Sequence, residues 1–191
     1  MFEAMVDPTA GPSTASSDTT VSSGATSATR PARLDGLVVG LLANPKRNAE
    51  QILDAVGELL AAEHGTTGAV RARKTSITDP VPPETLAELA ERCDVVLIGV
   101  GDCGSCSAAA VADGIAFEAA GVPAAVICTD AFRVSADAMA RLQGSPGYAY
   151  VSTPHPVAPL DGDGVRERAR VVLPELVGLL TEAPVPAAVP R

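Results

Sequence analysis

The sequence predicts an α/β fold: a single doubly wound, mostly parallel sheet of five strands in a flavodoxin-like order, with helices on both faces. Two observations carry this prediction. Short, continuous apolar runs, typical of strands buried on both faces, alternate along the chain with segments of helical periodicity. Of the 191 residues, 47% are hydrophobic and 3% aromatic. One core, built from regular elements and small apolar side chains, is therefore expected.

The predicted domain spans residues 34–182 and lies between two tails. Residues 1–33 are rich in Ser, Thr, Ala, Gly and Pro, with almost no periodic apolar positions. We expect them to be disordered, because they cannot bury enough apolar surface to offset the entropy lost on ordering. Residues 183–191 form a second tail of Pro and Ala.

Each element follows from a local pattern. The apolar runs predict strands at residues 37–42, 70–77, 94–100, 124–128 and 149–152. Apolar residues at helical spacing, together with prolines where helices begin and glycines where they end, predict five helices. These lie around residues 52–60, from 82–83 to 90, and over 107–120, 135–143 and 163–180. Because parallel strands end at one shared edge, four segments should converge there: residues 44–48, 101–107, 129–132 and 153–156.

Charge and composition exclude several classes of function. The formal net charge is −9, which argues against a nucleic-acid footprint, since phosphate binding needs a basic face. No apolar run approaches the ~20 residues that cross a bilayer. The first residues carry Glu3 and Asp7 and do not resemble a secretory signal. We therefore expect a cytoplasmic protein that contacts no membrane, with its four cysteines mostly reduced.

The most informative motif follows the clearest strand directly. Residues 99–107 read Gly-Val-Gly-Asp-Cys-Gly-Ser-Cys-Ser, which places Cys103 just before a helix and Cys106 in its first turn. Unpaired backbone N–H groups at a helix start stabilise a thiolate, so the pKa of at least one thiol is expected to fall. Asp102 has two opposing effects, because a neighbouring carboxylate raises a thiol pKa yet can serve as a base.

Three chemistries suit this pair. The first is thiol/disulfide exchange, in which Cys103 attacks and Cys106 resolves. The second is covalent catalysis by a thiolate on an electrophilic carbon. The third is metal binding, with Cys128 and His155 as further ligands, although the second close pair typical of zinc sites is missing. Cys93 is expected at the opposite end of the sheet, and both Cys93 and Cys128 are expected to pack as small apolar side chains.

The motif Gly101–Ser107 resembles the centre of the UGSC family, named for selenocysteine-Gly-Ser-Cys, with Cys103 at the selenocysteine position. Three further segments resemble the family in the same order along the chain: Asn44-Pro-Lys-Arg-Asn-Ala49, then Gly121-Val-Pro123 with Thr129-Asp-Ala-Phe132, then Pro154-His-Pro156. The resemblance covers about residues 36–182. It implies a redox-active or nucleophilic centre at Cys103 with Cys106 as its companion, and it supplies no substrate.

Residues at the same edge complete the predicted site. Asp102 or His155 would move protons, and His155 is suited to this near neutral pH. The expected substrate-binding residues are Asn44, Lys46, Asn48, Gly104, Ser105, Ser107, Asp130 and Phe132. Asn44, Lys46 and Asn48 are equally well explained as a solvated loop with a helix cap at Asn48, and Asp130 as a turn cap.

The sequence thus predicts a thiol-dependent enzyme acting on a small anionic or carbonyl-bearing substrate. No cofactor is expected, and the alternative is a metal bound by Cys103 and Cys106. A partner subunit or a homo-oligomer is compatible with this prediction. The rival hypotheses are a non-catalytic redox sensor or carrier acting on a protein partner, and a metal-binding module.

Overall fold

The computed structural model describes residues 27–181 and has a five-stranded, all-parallel sheet in the order β2-β1-β3-β4-β5. The strands are Val38–Ala43 (β1), Gly68–Arg73 (β2), Val95–Gly101 (β3), Ala124–Thr129 (β4) and Val151–Thr153 (β5). The helices are Ala49–His64 (α1), Pro83–Arg92 (α2), Gly104–Ala119 (α3), Arg133–Leu142 (α4) and Gly162–Thr181 (α5), with a short 3-10 helix at Asp130–Phe132. The predicted doubly wound α/β fold is confirmed.

Two apolar layers cover the sheet. One cluster packs α1 and α5 against one face, around side chains such as Ile52 and Leu176. The other packs α2, α3 and α4 against the opposite face, around Leu89 and Phe117. The central strands β3 and β4 are buried at every position, which is why they read as unbroken apolar runs in the sequence.

The strand order fixes where a ligand would bind. The chain passes from β1 outward to β2 and then returns to β3 on the other side of β1. The loops that follow β1 and β3 therefore diverge to opposite faces and leave a crevice at the carboxyl edge of the sheet. The segment that begins at Asn44 follows β1, and the thiol motif follows β3, so both lie at this crevice.

The helix that carries the thiol motif is anchored by buried charges. Lys74, just after β2, contacts Asp113 in the middle of α3 at 2.5 Å, and the second oxygen of Asp113 accepts the backbone N–H of Val81 at 2.7 Å. Burial raises the pKa of Asp113, and the Lys74 ammonium opposes that rise. These contacts hold α3 against the loop that follows β2.

The first described segment, residues 27–33, packs against the domain. The Arg30 guanidinium pairs with both oxygens of Glu118 at 2.5 and 2.7 Å and donates to the carbonyl of Leu179. Glu118 also accepts the backbone N–H groups of Ala28 and Ala124. The predicted disordered tail 1–33 is therefore too long, because a buried ion pair gives residues 27–33 the packing that their apolar content lacks.

The rest of the predicted tail, residues 1–26, and the tail at 183–191 lie outside the described residues. Among residues 27–181, no helix combines the length and the apolar character that crossing a membrane requires.

Candidate active site

Cys103 and Cys106 are joined by a disulfide at the start of α3, with their Cα atoms 5.3 Å apart. Cys103 is the N-cap residue of that helix, and its sulfur accepts the backbone N–H of Cys106 at 3.3 Å. The two residues differ in exposure, since Cys103 is half-buried and Cys106 is 0% exposed. A reagent in solvent therefore reaches the sulfur of Cys103 and not that of Cys106.

The oxidation state of the pair differs from the expectation that all four thiols are mostly reduced. Cys93 and Cys128 are free and buried, whereas Cys103 and Cys106 form a bridge. The N-cap position places two cysteines that are three residues apart on one helical turn, within the Cα separation that a disulfide spans. The bridge is local, so it is no disulfide framework, and it is the oxidised form of the predicted pair.

The two free cysteines occupy the positions predicted for them. Cys93 precedes β3 and lies against Gly40, at the amino edge of the sheet. Cys128 lies within β4, and its sulfur contacts the carbonyl of Ser107 at 3.9 Å. Burial raises the pKa of both thiols, that of Cys128 to about 12, so neither carries a thiolate near neutral pH.

The turn between β3 and α3 is closely packed. A β-carbon built on Gly101 would lie 2.6 Å from the hydroxyl of Ser107 and 2.9 Å from the sulfur of Cys128. Only glycine allows the strand to approach the helix this closely. Ser107 is 0% exposed, and its hydroxyl forms no hydrogen bond within the described part of the chain. Its predicted contact with substrate is not shown and stays a prediction.

Asp102, which precedes the reactive pair, contacts His155. Oδ1 of Asp102 lies 2.9 Å from Nδ1 of His155. Both carboxylate oxygens also accept the backbone N–H of Val157, and Oδ2 accepts that of Ala158, all at 3.2 Å. The Asp102 side chain is 4% exposed, and that of His155 is 35% exposed. A buried carboxylate thus orients an imidazole that remains open to solvent, which is a common arrangement in acid–base catalysis.

The segment that carries His155 is held from several directions. The backbone N–H of His155 donates to Oδ1 of Asp130 at 3.0 Å, and the ring of Phe132 meets the imidazole edge-on at 5.2 Å between centroids. Arg168 of α5 donates to the hydroxyl of Thr153 at 3.1 Å and to the carbonyl of Pro154. These contacts fix the position of His155 although it lies in a loop.

Asn48 holds the continuation of the same loop. Its amide nitrogen donates to the carbonyls of Val157, Ala158 and Leu160 at 2.9, 3.2 and 2.8 Å. It caps α1 with a left-handed backbone, at φ 67°, and without a side-chain cap hydrogen bond. The observed contacts of Asn48 are therefore structural, and its predicted contact with substrate stays a prediction.

A model of the UGSC family matches residues 4–182 of this chain. The chain belongs to the UGSC family. No curated protein matches it at a significant level. The family match covers most of the chain and includes both Cys103 and His155.

The four segments predicted to converge do so in this UGSC protein. Asn44 donates from its amide to the carbonyl of Val100 at 2.6 Å, which joins the segment after β1 to the end of β3. A β-carbon on Gly104 would lie 4.0 Å from the ring of Phe132, which in turn contacts His155. The thiol motif, the 3-10 helix and the loop of His155 therefore form one continuous surface.

The remaining predicted binding residues lie around this surface. Ser105 is exposed, and its hydroxyl lies 3.6 Å from the sulfur of Cys103. Lys46 is half-buried, and its ammonium forms no ion pair with any residue between 27 and 181. Oδ1 of Asn44 is buried and accepts no hydrogen bond from the described residues. Their roles toward a substrate stay predictions.

Sequence reasoning missed two residues of this UGSC site. Thr129 lies within the converging segment, and its hydroxyl contacts both Nδ1 of His155 at 3.2 Å and the carbonyl of Gly101 at 3.1 Å. It is the first polar residue after the apolar run of β4 and opens the segment Thr129–Phe132 that resembles the family, but neither signal assigns its hydroxyl a partner. Arg168 had no local signal, because it lies on a helix that contains several other arginines.

Two surface grooves lie elsewhere on the molecule. One runs between α1 and the ends of β1 and β2 and is lined by Glu50 and Arg73 among others; the second lies between α1 and the start of α5, beside Arg47 and Arg166. Neither contains Cys103, which lies at an open edge. Among the described residues, no group of three or more His, Cys, Asp or Glu side chains is arranged to hold a metal ion.

Proposed function

We propose that this protein is a thiol-dependent enzyme in which Cys103 attacks a small anionic or carbonyl-bearing substrate and Cys106 acts as the resolving thiol. The observation that supports this most strongly is the pairing of a half-buried Cys103 with a fully buried Cys106 at the start of α3. Such asymmetry suits a pair in which one sulfur meets the substrate while the other completes the reaction from within.

The local structure favours a nucleophilic Cys103. The sulfur of Cys103 caps α3, a helix of 16 residues, and we expect the reduced thiol to keep this position. The backbone N–H of Cys106 and the positive end of the helix dipole stabilise a negative charge at that position. Cys103 is therefore the thiol expected to carry a thiolate at neutral pH.

The disulfide favours the redox form of this chemistry. The Cys103 thiolate attacks a sulfur of a substrate disulfide, and the displaced thiolate leaves with the electron pair of the broken bond and takes a proton. Cys106, deprotonated, then attacks the sulfur of Cys103 and releases the second substrate thiol. The substrate gains two electrons and two protons, the pair becomes a disulfide, and an external dithiol returns it to the reduced form.

The preference for an anion is supported by the surroundings of Cys103. The helix N-terminus beside it is positive, and the ammonium of Lys46 lies in the loop after the neighbouring strand β1. The Asp102–His155 pair supplies a group that can accept and return a proton. The carbonyl-directed form of the reaction would use the same groups, with His155 protonating the oxygen of a covalent adduct on Cys103.

The experiment that tests the proposal uses reduced protein and an anionic aromatic disulfide, 5,5′-dithiobis(2-nitrobenzoate). Wild type should release both thiolates of the reagent and close the Cys103–Cys106 bridge. Cys106→Ser should stop after one release and retain a mixed disulfide on Cys103, visible by mass spectrometry. Cys103→Ser is the matched control and should lose the fast phase. Equal rates in Cys103→Ser and wild type would refute the proposed role of Cys103.

A redox carrier or sensor acting on a protein partner would give the same single reaction and no turnover. Adding an excess of a small dithiol separates the two functions. An enzyme should then consume the anionic disulfide repeatedly and faster than the uncatalysed exchange, whereas a sensor should not exceed the uncatalysed rate.

A further inference from the structure

The imidazole of His155 has one nitrogen that faces the protein. Nδ1 lies 2.9 Å from Oδ1 of Asp102 and 3.2 Å from the hydroxyl oxygen of Thr129. Thr129 is 0% exposed and the Asp102 side chain 4%, whereas the His155 side chain is 35% exposed. The Nδ1 side of the ring is thus packed against buried oxygens, and no described residue forms a hydrogen bond to Nε2.

The hydrogens available to these three groups decide where the imidazole proton lies. The hydroxyl of Thr129 has one hydrogen, and the Gly101 carbonyl, 3.1 Å away, can only accept it. A carboxylate also only accepts hydrogen bonds. If Thr129 donates to Gly101, its oxygen is left to accept from His155. Both oxygens that face Nδ1 are therefore acceptors.

We propose that Asp102 and Thr129 together hold His155 as the Nδ1–H tautomer, so that the exposed Nε2 is the basic atom of the site and Thr129 is a positioning residue. The inference rests on the proposed function for its catalytic meaning, while its structural content stands on the hydrogen bonds alone. In the reaction, Nε2 takes up a proton from solvent and gives it to the leaving group that the Cys103 thiolate displaces. The Asp102 carboxylate stabilises the imidazolium formed in between.

Other contacts keep the ring in this orientation. The backbone N–H of His155 is held by Asp130, and Phe132 packs against the imidazole at an interplanar angle of 85°. Arg168 holds the carbonyl of Pro154, just before the histidine. The charged groups around His155 are therefore the buried Asp102, the exposed Asp130, which holds its backbone, and Arg168, which holds the preceding carbonyl. Neither of these hydrogen bonds involves Nε2.

The test is nitrogen NMR of full-length protein labelled with ¹⁵N at the imidazole nitrogens. The chain has two histidines, and the second, His64, ends α1 far from the site and forms no side-chain hydrogen bond among the described residues. In the neutral imidazole, the protonated and unprotonated nitrogens have well-separated shifts. We expect His155 to show a protonated Nδ1 and an unprotonated Nε2, and His64 to show the Nε2–H form that free imidazoles favour in water.

Three variants assign the roles of Thr129 and Asp102. Thr129→Val keeps the shape of the side chain and removes the hydroxyl, and should lower the Nδ1–H to Nε2–H ratio of His155 several-fold. Thr129→Ser, which keeps the hydroxyl, should restore the ratio. Asp102→Asn replaces a charged acceptor by a neutral one and should lower the ratio about tenfold. His64 should be unchanged in all three.

A dominant Nε2–H tautomer in wild type would overturn the inference. So would a Thr129→Val spectrum identical to wild type, because a purely structural threonine would alter stability and leave the tautomer unchanged. The disulfide reaction of Cys103 is a separate measurement. Its failure together with an Nδ1–H spectrum would refute the proposed enzyme and leave the tautomer assignment intact.

Discussion

A β-carbon on Gly101 would lie 2.6 Å from the hydroxyl and 2.7 Å from the Cα of Ser107. The end of β3 therefore packs directly against the first turn of α3, with no space for a side chain between them. The same approach brings the reactive pair to the sheet edge.

Gly101→Ala should therefore destabilise the protein by about 1–3 kcal/mol or more, because the neighbouring atoms include, besides the Ser107 hydroxyl, the backbone Cα of Ser107 and the buried sulfur of Cys128, which have no room to move aside. Gly178→Ala is the matched control: no atom lies within 4 Å of its built β-carbon, and alanine is the better helix former. It should leave stability unchanged or raise it by up to about 1 kcal/mol. Urea unfolding of both variants measures this, and equal stabilities would contradict the close packing at Gly101.

Alkylation of the reduced protein should be selective for one thiol. Iodoacetamide near pH 7 should modify Cys103 at least about tenfold faster than Cys93 or Cys128, since burial raises the pKa of both free thiols and only Cys103 is at the helix cap. Cleavage before Asp94, Asp102 and Asp113 with an Asp-specific protease separates Cys93 and Cys128 from the peptide 102–112, and fragment-ion mass spectrometry of that peptide distinguishes Cys103 from Cys106. Comparable rates for Cys103 and Cys93 would remove the support for an activated nucleophile.

The charge of the reagent gives a second test at the same sulfur. Iodoacetate is an anion and iodoacetamide is neutral. The ratio of the iodoacetate rate to the iodoacetamide rate at Cys103 therefore measures how strongly the surroundings of this sulfur attract an anion. Lys46→Ala should lower that ratio several-fold, and Arg33→Ala, an exposed cation in the first described segment, should not. An unchanged ratio in Lys46→Ala would exclude Lys46 from anion binding.

Cys128 should make stability depend on alkaline pH. Its pKa in the folded protein is about 12, above the value of about 8.5 in an unfolded chain. A group whose pKa is raised by folding stabilises the fold fully below the unfolded pKa, and this contribution is lost as pH rises toward the folded one. Above about pH 9, the free energy of unfolding of wild type should fall by up to about 1.4 kcal/mol per pH unit more than that of Cys128→Ala.

Urea unfolding from pH 8 to about pH 10.5 checks that difference. Tyr148 and Tyr150 are present in both proteins, and burial, the largest cause of their raised pKa values, is common to the two; the charge of an ionised Cys128 adds a lesser part that the variant lacks. If the free energies of unfolding of the two proteins change in parallel with pH, the Cys128 thiol ionises as easily in the folded state as in the unfolded one.

The first described segment should contribute strongly to stability. Arg30→Ala leaves the Glu118 carboxylate buried at 6% exposure without its partner, which should cost about 3–5 kcal/mol. Arg33→Ala removes an exposed arginine three residues away and should change stability by no more than about 0.5 kcal/mol. Equal midpoints for the two variants in urea would show that residues 27–33 do not belong to the folded domain.

Local patterns were enough to predict the fold. The strands buried on both faces appear as apolar runs, and the parallel order follows from their alternation with helices. The second strand was predicted less accurately, at residues 70–77, whereas β2 is Gly68–Arg73. An edge strand whose residues are largely exposed carries a weaker apolar pattern than a buried one. The range predicted for α3 starts three residues late, at 107, because Gly104 and Ser105 have low helix propensity. The thiol motif itself placed Cys103 just before the helix and Cys106 in its first turn, as the structure has them.

The site was only partly predictable. The cysteine pair, Asp102 and His155 stand in recognisable local motifs. The side chains that position His155 do not, because their partners are remote in the chain: Thr129 is 26 residues from His155, and Asn48 is 109 residues from the carbonyl it holds at Val157. The same reason explains the tail boundary, since Arg30 and Glu118 are 88 residues apart.

The hydrogen bond from Arg30 to the carbonyl of Leu179 makes the first and last described segments neighbours at the amino edge of the sheet. The reactive pair lies at the carboxyl edge, across the full length of the strands. Attachment of the protein to a solid support near Ser27 or Thr181 would therefore leave Cys103 facing the bulk solution, and a reporter fused beside either residue would sit away from incoming reagents.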